Sequence, residues 1–229
     1  MKDLPFIIIT SPSLDVNKNV GGISSVTRFL IDNNRKFNYR HFELGRYDKE
    51  KRNILWFLRI IKAWISWCFL MIIKRNVIIH FNVALEKRSI IRDFPLILFS
   101  RMLGKRQVIH LHGGELLHNE KAGECLKNIL QFFFSGKEPK IVLSSMEKEL
   151  IVCKYHAKNV FELPNSIDLK EAEIFTRQFP VKAPLRILYM GRIVKSKGID
   201  YIIQALDILW RKSVPYKFIM AGSGPEEKD

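Results

Sequence analysis

Short apolar runs recur along this chain, each separated from the next by a longer stretch of helical period. Phe6-Ile7-Ile8-Ile9 is the first run, Val77-Ile78-Ile79-His80-Phe81 the second and Val108-Ile109-His110-Leu111 the third; Ile141-Val142-Leu143 and Val160-Phe161-Glu162-Leu163 follow. Between them lie helical stretches at about 54–73, 88–103, 121–134 and 146–154, and an earlier one with Ile23, Val26, Phe29 and Leu30 on one face. A half-exposed strand alternates apolar and polar residues. A strand that is apolar throughout is buried on both faces, as in a parallel sheet with helices on either side. The pattern therefore predicts an α/β fold of the doubly wound class, a Rossmann-like parallel sheet.

After Leu163 the texture changes. Residues 169–184 carry mixed charge with Pro180 and Pro184 and no strong period, as a linker does. A second α/β unit then begins. Arg186 to Met190 reads as a strand, Gly191 to Gly198 as a loop, and Ile199 to Arg211 as a helix with Ile202, Ile203, Leu206 and Leu209 on one face. Tyr216 to Ala221 is a further strand, and Pro225-Glu226-Glu227 resembles a first helical turn, with Pro at the start and acids behind it. The expected organisation is one complete N-terminal domain over residues 1–168, a linker over 169–184, and the first βαβ of a second domain over 185–229. Those last residues are too few to close a doubly wound domain.

The chain has 229 residues, 38 Lys plus Arg against 23 Asp plus Glu, and a net charge of +15. Its hydrophobic share of 47% excludes a disordered tail or a collagen-like repeat. The excess cations point to nucleic acid, an anionic membrane or an anionic substrate. They are interleaved with aliphatic residues and Trp, and no helix-turn-helix, zinc finger or RNP-like aromatic pair is visible, so no nucleic-acid partner is expected. Cys68, Cys125 and Cys153 are scattered, which fits buried thiols in a reducing cytoplasm.

The sharpest chemical segment is Gly191-Arg192-Ile193-Val194-Lys195-Ser196-Lys197-Gly198, a strand-to-helix loop with two glycines and three cations. Glycines let backbone approach a ligand, a helix N-terminus favours anions, Arg192 can grip a phosphate with two N–H groups, and Lys197 adds a mobile charge. It can serve as a diphosphate cradle or simply as a solvated basic loop. Gly21-Gly22 also opens a helix after a strand, as either an anion-facing turn or an ordinary tight one. His110 and His112 lie two apart at a strand end, where parallel sheets bind ligands. His110 reads as a core histidine. No third ligand accompanies the pair, so no metal site is expected. Ser144 or Ser145 can cap the helix that follows, while Asn165 and Asp168 are turn-formers.

LRILYMGRIVKSKGIDYIIQAL resembles the first strand, G-R-x4-K-G loop and first helix of the nucleotide-sugar domain of GT-B glycosyltransferases, specifically the retaining family 4. FIMAGSGP resembles that family's next strand and glycine turn, and GGISSVTRFL, VIHLHGGE, VLSSMEKEL and LPNSID resemble pieces of its N-terminal half. The resemblance implies that Arg192 and Lys197 hold the donor diphosphate, with Gly21 and Gly22 close by. It implies that His112 stands at the reacting centre, with Gly113, Ser145 and Asn165 along the acceptor side of the cleft. The implied activity is sugar transfer from a nucleotide-sugar donor to a glycan or lipid-linked acceptor in cell-surface polysaccharide synthesis, such as lipopolysaccharide or capsule. It needs neither a metal nor another cofactor. The family's Glu-x7-Glu pair has no counterpart here. The alternative expectation is therefore a truncated, catalytically inactive or binding subunit that needs a complementing C-terminal chain.

Residues 54–73 form a long apolar stretch in which Arg59, Lys62 and Ser66 make one narrow polar stripe. The pattern fits a helix packed on the sheet with a basic outer face, or an interfacial helix with Trp at headgroup level. Eleven residues is the longest uncharged run, short of the roughly 20 of a span. A peripheral position on an anionic membrane, at the cytoplasmic face, is expected.

Overall fold

The computed structural model describes residues 6–48, 50–113, 115–118, 123–166, 169–176 and 183–228. It divides into two compact units, Met1–Ile167 and Asp168–Asp229.

The first unit is a six-stranded sheet in the order β2-β1-β3-β4-β5-β6, with every pairing parallel. Its strands are β1 (Phe6–Ser11), β2 (Asn38–Glu43), β3 (Ile78–Val83), β4 (Arg106–Leu111), β5 (Lys140–Val142) and β6 (Val160–Glu162). Its helices are α1 (Gly22–Asn33), α2 (Ile54–Ile73), α3 (Lys87–Met102), α4 (Glu115–His118), α5 (Glu124–Ser135) and α6 (Ser145–Tyr155). The doubly wound α/β reading holds. Ile8, Ile9, Ile79, Phe81 and Ile109 are all fully buried, as a sheet covered on both faces requires.

Two elements of this unit were not legible. β2 has the sequence NYRHFE, with no apolar run. It pairs on one side only, to β1, and an edge strand is free to carry charged residues. The short α4 also had no signal. The first residues of the helix expected at 121–134 lie outside the described segments, and α5 begins at Glu124.

Of the basic outer face that was one of two readings for residues 54–73, Lys62 stands exposed and Arg59 does not. α2 starts where the Asn53 side chain accepts a hydrogen bond from the Trp56 amide at 3.0 Å. Its inner face seats Ile60, Trp67 and Met71 in the core. Trp67 lies edge-on to Phe42 of β2 at 4.9 Å and against Phe81 of β3 at 5.2 Å, and its indole N–H donates to Ser100 of α3 at 3.0 Å. Arg59 turns back to the protein. It bonds Glu50 at 2.6 Å and the Gly45 carbonyl at 2.8 Å, and stacks 4.3 Å over Tyr47. Arg59 thus lies along the seam with the β2–α2 loop, whereas Lys62 and Ser66 of the stripe are exposed beside an otherwise apolar outward face.

The second unit holds α7 (Lys170–Glu173), a helical turn inside the expected linker, then β7 (Leu185–Met190), α8 (Ile199–Arg211) and β8 (Tyr216–Ala221). Pro180 and Asp168 lie outside the described residues. β7 and β8 pair in parallel around the α8 crossover. Burial alternates along both strands, and Leu188, Met190 and Ile219 are exposed on the second face.

Candidate functional site

The first unit's candidate residues gather at the carboxyl end of its sheet. The chain runs from β1 outward to β2 and then returns to build β3, β4, β5 and β6 on the other side. The loops after β1 and β3 therefore diverge, and open α/β sheets bind ligands at such a switch point. Gly21 and Gly22 follow β1, and His112 and Gly113 follow β4, the strand next to β3.

The glycine turn is held by Asn19. Its Oδ1 accepts from the Gly21 amide at 2.8 Å and from the Ser24 hydroxyl at 2.9 Å. Gly21 is the N-cap of α1 and supplies no side-chain cap, and a Cβ on Gly22 would meet nothing within 4 Å. The helix start is thus open to a ligand at Gly22.

His112 lies one residue beyond β4, yet its amide still donates to the Val83 carbonyl at 2.8 Å. Its ring stands 4.1 Å from that of His110, which in turn stacks 5.4 Å from His80 of β3. The His110 Nδ1 and His80 Nε2 share a hydrogen bond at 3.2 Å. His112 Nε2 lies 2.8 Å from Asn82 Oδ1. The Asn82 amide nitrogen donates to the Thr10 carbonyl at 3.0 Å and to Thr27 Oγ1 at 3.1 Å, so its oxygen is the acceptor. His112 must then carry its proton on Nε2, leaving Nδ1 with a lone pair. Thr27 Oγ1 closes the chain by donating to the Ile23 carbonyl in the first turn of α1 at 2.7 Å. His112 and the glycine-turn helix are thereby joined through buried side chains.

Burial dominates the electrostatics here. It pushes His80 down to about 3, with His110 adding to the effect, and His110 down to about 4. Burial and then the neighbouring imidazoles push His112 down to about 3. All three rings are neutral at physiological pH. His110 is the core histidine expected, but His80 and Asn82 were missed. Their signal was present: two polar residues at alternate positions of an otherwise apolar strand need buried partners. Among the described residues no group of three His, Cys, Asp or Glu is placed to hold a metal ion.

Ser144, not Ser145, caps α6. Its side chain accepts from the Glu147 amide at 3.3 Å, while Ser145 is the first helical residue and is exposed. Asn165 is exposed in the segment after β6. Among the described residues no hydrogen bond ties Ser145 or Asn165 to the His112 network. Gly113 has φ of +83°, a left-handed conformation that favours glycine.

In the second unit the chain from Gly191 to Gly198 is a loop that tightens into a 3₁₀ turn at Lys195–Lys197. Gly198, with φ of +74°, turns it into α8. Arg192 and Lys197 are both exposed before that helix. The loop is braced by the turn after β8: the Gly191 amide donates to Ala221 at 3.0 Å and the Ile193 amide to Ser223 at 3.1 Å. A Cβ on Gly222 or Gly224 would overlap the carbonyl oxygen of Gly191 or Ile193, so glycine is required at both. A cleft of about 810 Å³ opens beside the loop, lined by Lys195, Asp200, Gln204, Met220 and Glu227 among others. Lys195, the loop's third cation, thus lines this cleft.

Residues 170–229 match the family described as Glycosyl transferases group 1. No curated protein matches the chain. Among solved structures, that of TarM superposes with a TM-score of 0.53 at 15% identity, over 72% of this chain and 32% of TarM. The chain therefore spans about a third of TarM's length. The structure of HepE of Anabaena, in complex with UDP and glucose, gives a TM-score of 0.49 at 10% identity, over 95% of this chain and 69% of that one. The first unit's architecture, a six-stranded parallel α/β sheet, is a fold similar to that of TarM, and the family match is confined to residues 170–229.

Proposed function

We propose that this chain acts in glycosyl transfer as a family 4 GT-B enzyme. It would move a sugar with retention from a nucleotide-sugar donor to a glycan or lipid-linked acceptor of a cell-surface polysaccharide such as lipopolysaccharide or capsule. The observation that carries the reading is the Gly191–Gly198 turn, which presents exposed Arg192 and Lys197 ahead of α8 within the matched segment. A departing nucleoside diphosphate needs positive charge aimed at its oxygens, and a guanidinium, an ammonium and a helix N-terminus supply it without a metal. In the first unit, the open start of α1 at Gly22 offers a second place for anionic oxygens. His112 is neutral with a lone pair on Nδ1, suited to accepting a hydrogen bond from a sugar hydroxyl.

Titration calorimetry with UDP-, GDP- and ADP-sugars tests the reading. The expected result is micromolar affinity for one base. Arg192→Ala should weaken it roughly 10- to 150-fold, the loss of one charge-assisted bond. Absence of binding to any nucleotide sugar, or an unaffected Arg192→Ala, would refute it.

A second reading is a binding subunit without activity of its own, completed by another chain. It is favoured by the bare face of β7 and β8, where Leu188 and Met190 stand exposed although doubly wound sheets are covered on both sides. Donor affinity that rises only when a complementing chain is added would select it.

A further inference from the structure

α2 is largely apolar on its outward face as well as its inward one, with Lys62 an exposed cation along that outward side. Ile54, Leu58, Ile65, Phe69 and Ile72 recur at i, i+4, i+11, i+15 and i+18, which places them on one side of the helix. Ile65 is 53% and Phe69 63% exposed, whereas Trp67, between them in sequence, is 0% exposed. A row of this extent on a soluble surface marks an interaction site.

Charge identifies the occupant. α2 contains no acidic residue. Lys51 and Arg52 stand exposed before its start, and Lys74 and Arg75 stand exposed after its end. Burial and then the nearby guanidinium groups of Arg88 and Arg46 lower the proton affinity of Arg52, so that end of the helix gathers cations. At the other end, Lys105 donates to the Lys74 carbonyl at 2.7 Å. An apolar centre with cations at both ends complements acyl chains below anionic headgroups.

The helix lies flat. Among the described residues it is the one helix long and apolar enough to cross a membrane by length and composition. Yet it is the crossover between β2 and β3, which both flank β1 in one parallel sheet, and Trp67 and Met71 anchor it in the core. It cannot leave that sheet without opening the core.

We propose that the outward face of α2 is a membrane-docking surface, seated in the plane of the headgroup region of an anionic bilayer through Ile54, Leu58, Ile65, Phe69 and Ile72. This stands on α2 alone and does not depend on the glycosyl-transfer reading. Apolar insertion and a basic contribution together make the two signals that stable but reversible anchoring needs.

The test is cosedimentation of the full chain with phosphatidylcholine vesicles, with and without phosphatidylglycerol at about 30%. The chain should bind the anionic vesicles at least tenfold more tightly, and the difference should shrink at high salt. Ile65→Glu/Phe69→Glu should lose about tenfold or more in partitioning while keeping the parent's circular dichroism and melting, since both side chains are exposed. Lys74→Ala/Arg75→Ala should lose about fivefold per cation on anionic vesicles and nothing on neutral ones. Wild-type chain that ignores anionic vesicles, or an Ile65→Glu/Phe69→Glu variant that binds like the parent, overturns the proposal. So does a concentration-dependent dimer that the same variant abolishes and vesicles do not compete with, because the occupant would then be a second copy. Nucleotide-sugar calorimetry on the same preparations keeps the two readings separate.

Discussion

The His80–His110–His112 stack makes the first unit acid-sensitive, and the size of the effect follows from the structure. In the folded state the rings take up protons only near pH 3 to 4. In the unfolded chain each titrates near 6.5. Above 6.5 both states are neutral and the rings contribute nothing to the pH dependence. Between 6.5 and the folded values only the unfolded chain binds the protons, so stability falls as the pH falls. One unit below 6.5, each ring costs about 1.4 kcal/mol, and three cost about 4 kcal/mol. That is a large share of the roughly 5–15 kcal/mol that holds a domain folded. His41, which burial also pushes down, adds to the loss, and Asp93, whose carboxyl burial pushes up, opposes it because it accepts its proton earlier in the folded state. Urea unfolding followed by Trp fluorescence, at about pH 7.5 and about pH 5.5, measures the difference. The signal reports the first unit, since Trp67 is fully buried there and Trp210 of the second unit is already exposed. His80→Phe should remove about 1.4 kcal/mol of the pH dependence, whatever it costs at neutral pH. A stability that is flat over this window, or an unchanged slope in His80→Phe, would refute the claim that these rings are held neutral.

Asn82→Leu leaves the His112 Nε2–H and its other partners without a mate. It should cost about 1–3 kcal/mol per stranded group in urea unfolding, and long-range nitrogen–proton spectra should lose the single Nε2–H tautomer of His112. Gly222→Ala or Gly224→Ala forces the turn after β8 away from the Gly191–Gly198 loop. Hydrogen exchange should accelerate at the Gly191 and Ile193 amides, with the first unit unaffected. Lys140 is fully buried, and its ammonium donates to the carbonyls of Gly136 at 2.6 Å and Glu138 at 3.0 Å. Lys140→Met should lower the unfolding free energy by about 2–5 kcal/mol at neutral pH, because those two oxygens lose a charged donor.

What the sequence disclosed and what it withheld divide along physical lines. Parallel strands buried on both faces announce themselves, so β1, β3 and β4 could be placed from Ile8, Ile79 and Ile109 alone. β2 could not, because an edge strand pairs on one side and can carry Arg40, His41 and Glu43 without an apolar run. For α2 the period was legible but the orientation was not. A helix apolar on nearly every side carries little mark of its inner face, and the partners that turn Arg59 back to the protein, Glu50 and Gly45, lie in a loop of unmarked geometry. The site shows the same division more sharply. Gly21, Gly22 and His112 were recognisable by type and by their place after strands. The protonation state of His112 was not recognisable, because it is set by Asn82, 30 residues away, which is itself oriented by Thr10, 72 residues away. Those contacts exist only because β3 lies between β1 and β4. A residue's chemical capacity is local to its type, but whether its nitrogen donates or accepts is decided by strand order.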